Sequence, residues 1–107
     1  MISFDDFIKV ELKVGTILEA EEIEESEKLI KCMVDLGERE PRQILAGVKQ
    51  WYKAEDLKGK QVVVAVNLEP RMMMGMESQG MMLAADPEEG PVFLTVPEDV
   101  PAGTKIR

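Results

Sequence analysis

Apolar and polar residues alternate along most of the first half of the chain, a pattern that predicts half-buried β-strands. The alternation predicts three strands, over residues 10–23, 30–36 and 43–48. Gly15 interrupts the first of them, and we expect the strand to bend or bulge there. A polar turn over residues 38–41 separates the second strand from the third.

The second half of the chain continues the β pattern. Residues 61–68 form the most apolar strand, because the five residues 62–66 are all aliphatic, and such a run predicts burial on both faces. Shorter strands are predicted over residues 81–85 and 92–96, followed by a final extended segment over residues 100–106. The pattern is therefore typical of an all-β domain.

Two short helices are predicted among the strands. One covers residues 3–8, where Ser3 can cap the first turn, and the other covers residues 51–57, before the stop signal of Gly59. The first helix has an apolar face that we expect to pack on the domain body or on a partner subunit, formed by Phe4, Phe7 and Ile8. A helix between the third and fourth strands is the layout of the OB-fold, a five-stranded Greek-key barrel. The N-terminal helix and a C-terminal strand extension would be additions to that barrel.

The size and composition of the chain fit a single domain over residues 1–107, with 45% apolar residues to build a core. No apolar run approaches the roughly 18 residues of a membrane-spanning helix, and no secretory leader pattern is present. The single cysteine cannot form an internal disulfide, which is typical of a reducing compartment. We therefore expect a cytoplasmic domain with no membrane partner.

Charge and histidine content narrow the classes of function. The net charge of −8 argues against sequence-blind binding to phosphate backbones, although a local basic face remains open because screening acts over about 8–10 Å. The chain has no histidine, so it can hold neither a Ser-His nor a Cys-His nucleophile pair. Cys32 is in phase with apolar neighbours and is expected to be a buried structural thiol. We expect no catalytic residues, no metal and no cofactor.

Residues 67–82 hold six of the eight methionines of the chain. Methionine is flexible and polarizable, so clustered methionines suit adaptable contact surfaces as well as irregular gaps in a core. A methionine-rich loop between two apolar segments is unusual in a small domain. The loop is therefore the first candidate for the functional site.

The same loop contains two linked motifs, Asn67-Leu68-Glu69-Pro70 and Gly75-x-x-Ser78-x-Gly80-Met81-x-Leu83. They strongly resemble the tRNA-binding domain family. Further fragments in the same order extend the resemblance over nearly the whole chain: Leu12-Lys13-Val14-Gly15, Glu27-Lys28-Leu29, Val34-Asp35-Leu36-Gly37, Arg42-Gln43-Ile44-x-Ala46-Gly47 and Tyr52-x-x-Glu55-x-Leu57-x-Gly59-Lys60.

The resemblance implies an OB-fold module of the kind found at the C-terminus, or as a separate β subunit, of many methionyl-tRNA synthetases. Such a module would be a non-catalytic auxiliary that binds the shape of tRNA and raises its local concentration near the synthetase catalytic subunit. Short members of the family form homodimers, which here would use the N-terminal helix and the tail over residues 92–106. The family also includes a secretion chaperone, so a peptide-binding module is the alternative function.

By resemblance, Asn67, Ser78 and Met81 match positions that the family uses against tRNA, with Lys28 and Arg42 on the same side. Hydroxyl and amide groups together with cations are the chemistry that grips RNA. That chemistry adds Gln79 and Arg71 from the signature loop, so the predicted site is Lys28, Arg42, Asn67, Arg71, Ser78, Gln79 and Met81.

Each prediction has a structural alternative. Asn67 can bond backbone at a strand end, Ser78 can belong to the turn and Met81 to the core. The aromatic pair Trp51 and Tyr52 is expected to pack rather than to stack on RNA.

The chain departs from the family at two places. Glu24 and Glu25 stand where members commonly have a histidine, and residues 72–74 are methionines where further Lys or Arg is common. Both departures remove positive charge from the region where phosphate would lie. We therefore expect tRNA binding that is weaker or more salt-sensitive than is usual in the family, and the acidic charge and the triple methionine favour the peptide-binding alternative.

Overall fold

A computed structural model describes residues 1–107, and strands dominate it. The helices are α1 (Phe4–Phe7) and α2 (Ala54–Leu57). The strands are β1 (Leu12–Glu22), β2 (Ile30–Asp35), β3 (Arg42–Ala46), β4 (Gln61–Ala65), β5 (Arg71–Met73), β6 (Met76–Ser78), β7 (Met81–Met82), β8 (Ala84–Ala85), β9 (Val92–Phe93) and β10 (Lys105–Ile106).

Five strands form a nearly closed antiparallel barrel. They follow the order β3-β2-β1-β4-β7, and β10 pairs with the first residues of β1. The long β1 lies at the centre of this order because it pairs with β2 through its second half and with β4 through its first half. α2 lies between β3 and β4, as predicted. The prediction of an all-β OB-fold with an N-terminal helix and a C-terminal strand is confirmed.

The barrel core includes alternate residues of β2 and of the apolar run over residues 62–66, together with Ile17 of β1 and Ile44 of β3. The predicted burial of residues 62–66 is confirmed, because all five are buried. Cys32 is fully buried in the same core, and this burial raises the pKa of its thiol to about 11. A thiol with that pKa stays protonated at neutral pH, so the structural interpretation of Cys32 is also confirmed.

The irregularity of β1 is not at Gly15, where we expected it. Gly15 pairs with Val62 in an unbroken register, and the register shift lies between Ile17 and Glu19. Gly15 is needed for close packing instead: a Cβ atom at this position would lie 2.5 Å from Cγ1 of Val34. The sequence pattern alone does not distinguish a glycine that bends a strand from one that makes room for a neighbour.

The methionine-rich segment is more regular than a loop. β5 and β6 form a β-hairpin with a two-residue turn at Met74 and Gly75, where φ is 50° and 77°. Positive φ at both central residues is the conformation of the tight type I′ hairpin turn. We call residues 71–78 the methionine hairpin. The strand predicted over residues 81–85 is likewise divided, because β7 pairs with β4 and β8 pairs with β9.

The two helices are shorter than predicted. The hydroxyl oxygen of Ser3 accepts a hydrogen bond from the backbone N–H of Asp6 at 3.1 Å, so the predicted cap of α1 is present. The apolar face of α1 does not pack on the barrel as a core element, since all residues of the helix are exposed.

Trp51 precedes α2 and packs against Gly90, where a Cβ atom would lie 2.4 Å from the indole ring.

The packing of Gly15 leads to a stability prediction. Gly15→Ala places a methyl group against Val34, Leu36 and Val64, and overpacking of this kind costs about 1–3 kcal/mol. Gly47→Ala is the matched control because no heavy atom lies within 4 Å of the added Cβ. Urea unfolding should show a loss for the first variant and a change within about 0.5 kcal/mol for the second. Equal losses in the two variants would contradict the packing role.

Candidate nucleic-acid interface

The methionine hairpin and the residue after it bond to the edge of β3 that pairs with no strand. We call this junction the seam; it consists of Arg42, Gln43 and Leu45 on one side and Ser78 and Gln79 on the other. At the seam the backbone N–H of Leu45 donates to the hydroxyl oxygen of Ser78 at 3.0 Å. The N–H of Gln43 donates to the side-chain oxygen of Gln79 at 3.0 Å, and the N–H of Gln79 donates to the carbonyl of Gln43 at 2.8 Å. Two side-chain oxygens and one backbone N–H therefore replace the strand that β3 lacks on this edge.

These hydrogen bonds use side-chain groups of two of the predicted site residues, Ser78 and Gln79. Ser78 is 3% exposed, and its hydroxyl also donates to the carbonyl of Gly80 at 3.1 Å. Both functions of that hydroxyl are thus engaged within the protein. Gln79 is exposed, but its side-chain oxygen is held by Gln43. The structural alternative for Ser78 is the one that the geometry favours.

Arg42 also uses four of its five N–H donors at the seam. Its Nε and Nη2 donate to the two carboxylate oxygens of Glu38 at 2.8 and 2.7 Å. Its Nη1 donates to the carbonyl oxygens of Val66 and Gln79 at 2.6 and 3.1 Å. Arg42 therefore ties β3 to the end of β4 and to the segment after the hairpin, and it has little capacity left for a phosphate.

The bidentate pair perturbs the carboxylate of Glu38. The hydrogen bonds from Arg42 hold the pKa of Glu38 below its ordinary value, desolvation opposes them, and the charges of Arg42 and Lys13 add a further lowering. Glu38 is consequently a charged partner that keeps the guanidinium of Arg42 oriented toward the two carbonyls.

Asn67 connects the end of β4 to the segment between α1 and β1. Its side-chain oxygen accepts from the N–H of Glu11 at 2.9 Å, and its amide nitrogen donates to the carbonyl of Lys9 at 2.6 Å. The side chain is exposed, so one amide hydrogen remains available. Asn67 bonds backbone at a strand end, as its structural alternative proposed.

The methionine hairpin has two unlike faces. Met73 and Met76 point inward and pack on a small apolar cluster of Ile23, Leu29 and Leu45. Leu45 belongs to β3 but not to the barrel core, so the hairpin lies across the outer side of that strand. The cluster also joins the hairpin to the loop over residues 23–29, which links β1 to β2.

The outward methionines are exposed to solvent. Met72 is 63% exposed and Met74 is 57% exposed. Met81, which lies beyond the hairpin on β7, is 48% exposed, so it is not a core residue. The hairpin and the first residue of β7 thus expose three thioethers to solvent.

Two predicted cations remain free. The side chains of Lys28 and Arg71 are exposed and form neither an ion pair nor a hydrogen bond. The backbone of Lys28 is nevertheless fixed, because its N–H donates to the hydroxyl of Ser26 at 3.1 Å and its carbonyl accepts from the N–H of Lys49 at 3.0 Å. Arg71 lies directly opposite Ser78 in the hairpin.

The seven predicted residues therefore divide into a seam group of four, two free cations and one exposed methionine. Arg42, Ser78 and Gln79 meet at the seam, and Asn67 lies one residue beyond the Val66 carbonyl that Arg42 binds. Lys28 and Arg71 carry unpaired charge on the loop over residues 23–29 and on the hairpin, which the apolar cluster joins. Met81 presents an exposed thioether.

Sequence reasoning missed three polar positions of this region. Lys31 and Gln43 lie on the outer side of β2 and β3, and Lys31 is the cross-strand partner of Leu45, which the hairpin covers. Lys31 forms an ion pair with Glu21 at 3.3 Å. Lys49 donates from its ammonium to the carbonyls of Ile23 and Ser26 at 2.7 and 2.8 Å. The alternation of β2 identifies Lys31 as outward, whereas no pattern identifies Lys49.

The chain contains no cluster of three or more His, Cys, Asp or Glu side chains that could hold a metal ion. No helix is long and apolar enough to span a membrane.

A sequence profile of one protein family matches most of the chain. The family is described as "Putative tRNA binding domain", and the match covers residues 12–105. The chain is also 51% identical, over all 107 of its residues, to the methionine–tRNA ligase of Methanothrix thermoacetophila. That match covers only 16% of the ligase, so the chain spans a small part of the length of such relatives.

Two solved structures share the fold along the full length of the chain. A MetRS-related protein from Pyrococcus horikoshii has a TM-score of 0.92 and 40% identity, and the match covers 100% of this chain and 98% of that one. The chaperone CsaA from Bacillus anthracis has a TM-score of 0.90 and 35% identity, with 100% and 99% covered.

The Glu38–Arg42 pair predicts a pH dependence of stability. The pKa of Glu38 is lower in the folded state than its ordinary value of 4.5. The charged carboxylate therefore stabilises the fold above pH 4.5, and this stabilisation is lost as the pH falls through the folded-state pKa. Wild type should therefore exceed Glu38→Gln in free energy of unfolding at neutral pH, and the difference should shrink as the pH falls below 4.5.

Urea unfolding at a series of pH values measures this difference. Glu40→Gln is the matched control, since Glu40 is exposed on the same turn and forms no ion pair. A difference between wild type and Glu38→Gln that does not change with pH would show that the carboxylate charge has no role at the seam.

Proposed function

The chain belongs to the tRNA-binding domain family, and we propose that it acts as a non-catalytic module that binds tRNA by its shape. One observation carries the proposal: Lys28 and Arg71 are both exposed and form no ion pair. They lie on the loop over residues 23–29 and on the methionine hairpin, which one apolar cluster holds together. RNA shape is read through phosphates and sugar hydroxyls, which require cations and small polar donors on a fixed frame. The seam and the cluster supply such a frame.

The predicted site residues take two roles in this proposal. Lys28 and Arg71 contact phosphates, while Met81 and the free amide hydrogen of Asn67 contact bases or sugars. Arg42, Ser78 and Gln79 hold the seam, and their engaged hydrogen bonds support that role. Lys31 joins the first group, because its ion pair with the exposed Glu21 is weak enough to exchange for a phosphate.

We propose that the module occupies residues 1–107 as a single domain and works beside a methionyl-tRNA synthetase catalytic subunit. Its relatives are ligases several times its length, which supports a working partnership with the catalytic part. Attachment to a second tRNA-binding surface raises the effective concentration of tRNA without any catalytic group of its own. The absence of histidine supports an auxiliary rather than an enzymatic role.

We also propose that the module is a homodimer. Phe4, Phe7 and Ile8 are 74, 52 and 53% exposed and line a groove against Leu12 and Ile106. A helix whose apolar side chains are all exposed has not found its partner within one chain. A two-fold dimer, the commonest oligomer, would cover them.

The alternative function, capture of apolar peptides, is supported by a specific surface. Met72, Met74 and Met81 are exposed beside the seam, and flexible thioethers adapt to varied side chains. The similarity to the chaperone CsaA is consistent with this alternative. The net charge of −8 weakens the long-range attraction of RNA but not that of an apolar peptide.

The cation assignment leads to a binding prediction. Lys28→Ala and Arg71→Ala should each weaken tRNA binding and lower the slope of log affinity against log salt by about 1, because each removes one phosphate contact. Titration of labelled bulk tRNA at several salt concentrations measures both quantities. Lys60→Ala is the matched control, since Lys60 is exposed at the opposite end of β4 from Asn67.

Two outcomes would contradict the proposal in different ways. Unchanged affinity and slope in both variants, with tRNA bound by wild type, would remove the site assignment but leave the function. Absence of tRNA binding at low salt, together with binding of an unfolded apolar peptide, would favour the alternative function.

A further inference from the structure

The methionine hairpin holds some of its thioethers in the apolar cluster and exposes others to solvent, and the strand register determines which. Met73 and Met76 are cross-strand partners on the inward face, packed on the apolar cluster. Met72 is on the opposite face, where its cross-strand partner is Glu77. Met74 occupies the turn. A single short segment therefore carries both protected and exposed methionines.

Exposure decides which methionines react with an oxidant. Peroxides oxidise accessible thioethers to sulfoxides, and packed thioethers react later because the reagent must reach the sulfur. Met72, Met74 and Met81 are 63, 57 and 48% exposed, whereas Met82 is 7% exposed. Cys32 does not compete for oxidant, because it is buried and protonated.

We propose that Met72, Met74 and Met81 form a reversible oxidation site that weakens RNA binding by the methionine hairpin. This inference rests on the proposed tRNA-binding function. The fold remains intact on oxidation of these three side chains, because none of them packs in the core or in the apolar cluster. Oxidation thus alters the ligand surface without unfolding the domain.

The chemistry requires only a peroxide and, for reversal, a thiol-dependent reductase. The sulfur lone pair attacks one peroxide oxygen, the S–O bond forms as the O–O bond breaks, and the second oxygen leaves as water. Methionine loses two electrons and the peroxide gains them. Methionine sulfoxide reductases return the oxygen as water while two thiols become a disulfide.

The sulfoxide changes the surface in two ways that both oppose RNA. An apolar thioether that can lie against a base becomes strongly polar and hydrated. Its oxygen also carries partial negative charge, and position 72 shares the outward face of the hairpin with its cross-strand partner, the acidic Glu77. The added negative potential therefore acts on RNA that approaches this outward face, whereas strand alternation places Arg71 on the other face with Met73 and Ser78.

Graded hydrogen peroxide treatment of the full chain tests the inference. Peptide mass spectrometry follows each methionine, while tRNA affinity and near-ultraviolet circular dichroism are measured on the same samples. We expect sulfoxide at positions 72, 74 and 81 before positions 73 and 76, an affinity loss of about tenfold, which corresponds to 1.4 kcal/mol, and an unchanged dichroism spectrum. Treatment with sulfoxide reductases and a thiol should restore the affinity.

Two variants separate the site from unspecific damage, each compared with its own affinity before peroxide. The variant carrying Met72→Leu, Met74→Leu and Met81→Leu should keep its own affinity after treatment. Met1→Leu, which removes an exposed methionine outside the hairpin, should lose affinity as wild type does.

Some results would overturn the oxidation site alone, and another would also overturn the proposed tRNA binding. Affinity that survives full oxidation of the three positions, or that falls equally in the triple variant, would overturn the oxidation site while leaving tRNA binding established. Loss that coincides with oxidation of Met73 and Met76 would also overturn it, since the cause would then be loss of the apolar cluster. A protein that binds no tRNA before peroxide would overturn the proposed function as well.

Discussion

The hydrogen bonds at the seam are the constraint on which the rest of the structure depends. β3 and β7 are the two ends of the strand order and do not pair, so the outer edge of β3 carries backbone groups that need other partners. Ser78 and Gln79 provide them with a hydroxyl and an amide oxygen. The Leu45–Ser78 bond is buried, and a buried donor left unpaired costs about 1–3 kcal/mol, so this bond in particular keeps the methionine hairpin folded against the barrel.

The seam also determines which charges remain for a ligand. Arg42 and Lys49 donate hydrogen bonds to backbone carbonyls. Part of the positive charge of the chain is therefore bound within the protein and is not available to a ligand. Lys28 and Arg71 remain free on segments that this internal bonding has fixed. Although the net charge is −8, these two cations keep their charge for a ligand, because charges beyond about 8–10 Å are largely screened.

Much of the fold was predictable from sequence, and the site less so. Period-two alternation and the aliphatic run over residues 62–66 predicted the barrel, since burial in a strand follows its side-chain period. The role of Gly15 and the division of the strand over residues 81–85 depend on which segments meet in space, and alternation does not contain that information. For the same reason the sequence could not show that Arg42, Ser78 and Asn67, which the resemblance selected as RNA contacts, each also bond a backbone group 24 to 58 residues away in the chain.

The central claim is that Ser78 builds the interface rather than touching the RNA, and Ser78→Ala tests it most directly. Urea unfolding and the salt dependence of tRNA binding would be measured on the same preparation. We predict a loss of about 1–3 kcal/mol in the free energy of unfolding, because the N–H of Leu45 loses its acceptor, with the salt slope unchanged. Unchanged stability together with a loss of tRNA affinity would contradict the account and identify Ser78 as a direct RNA contact.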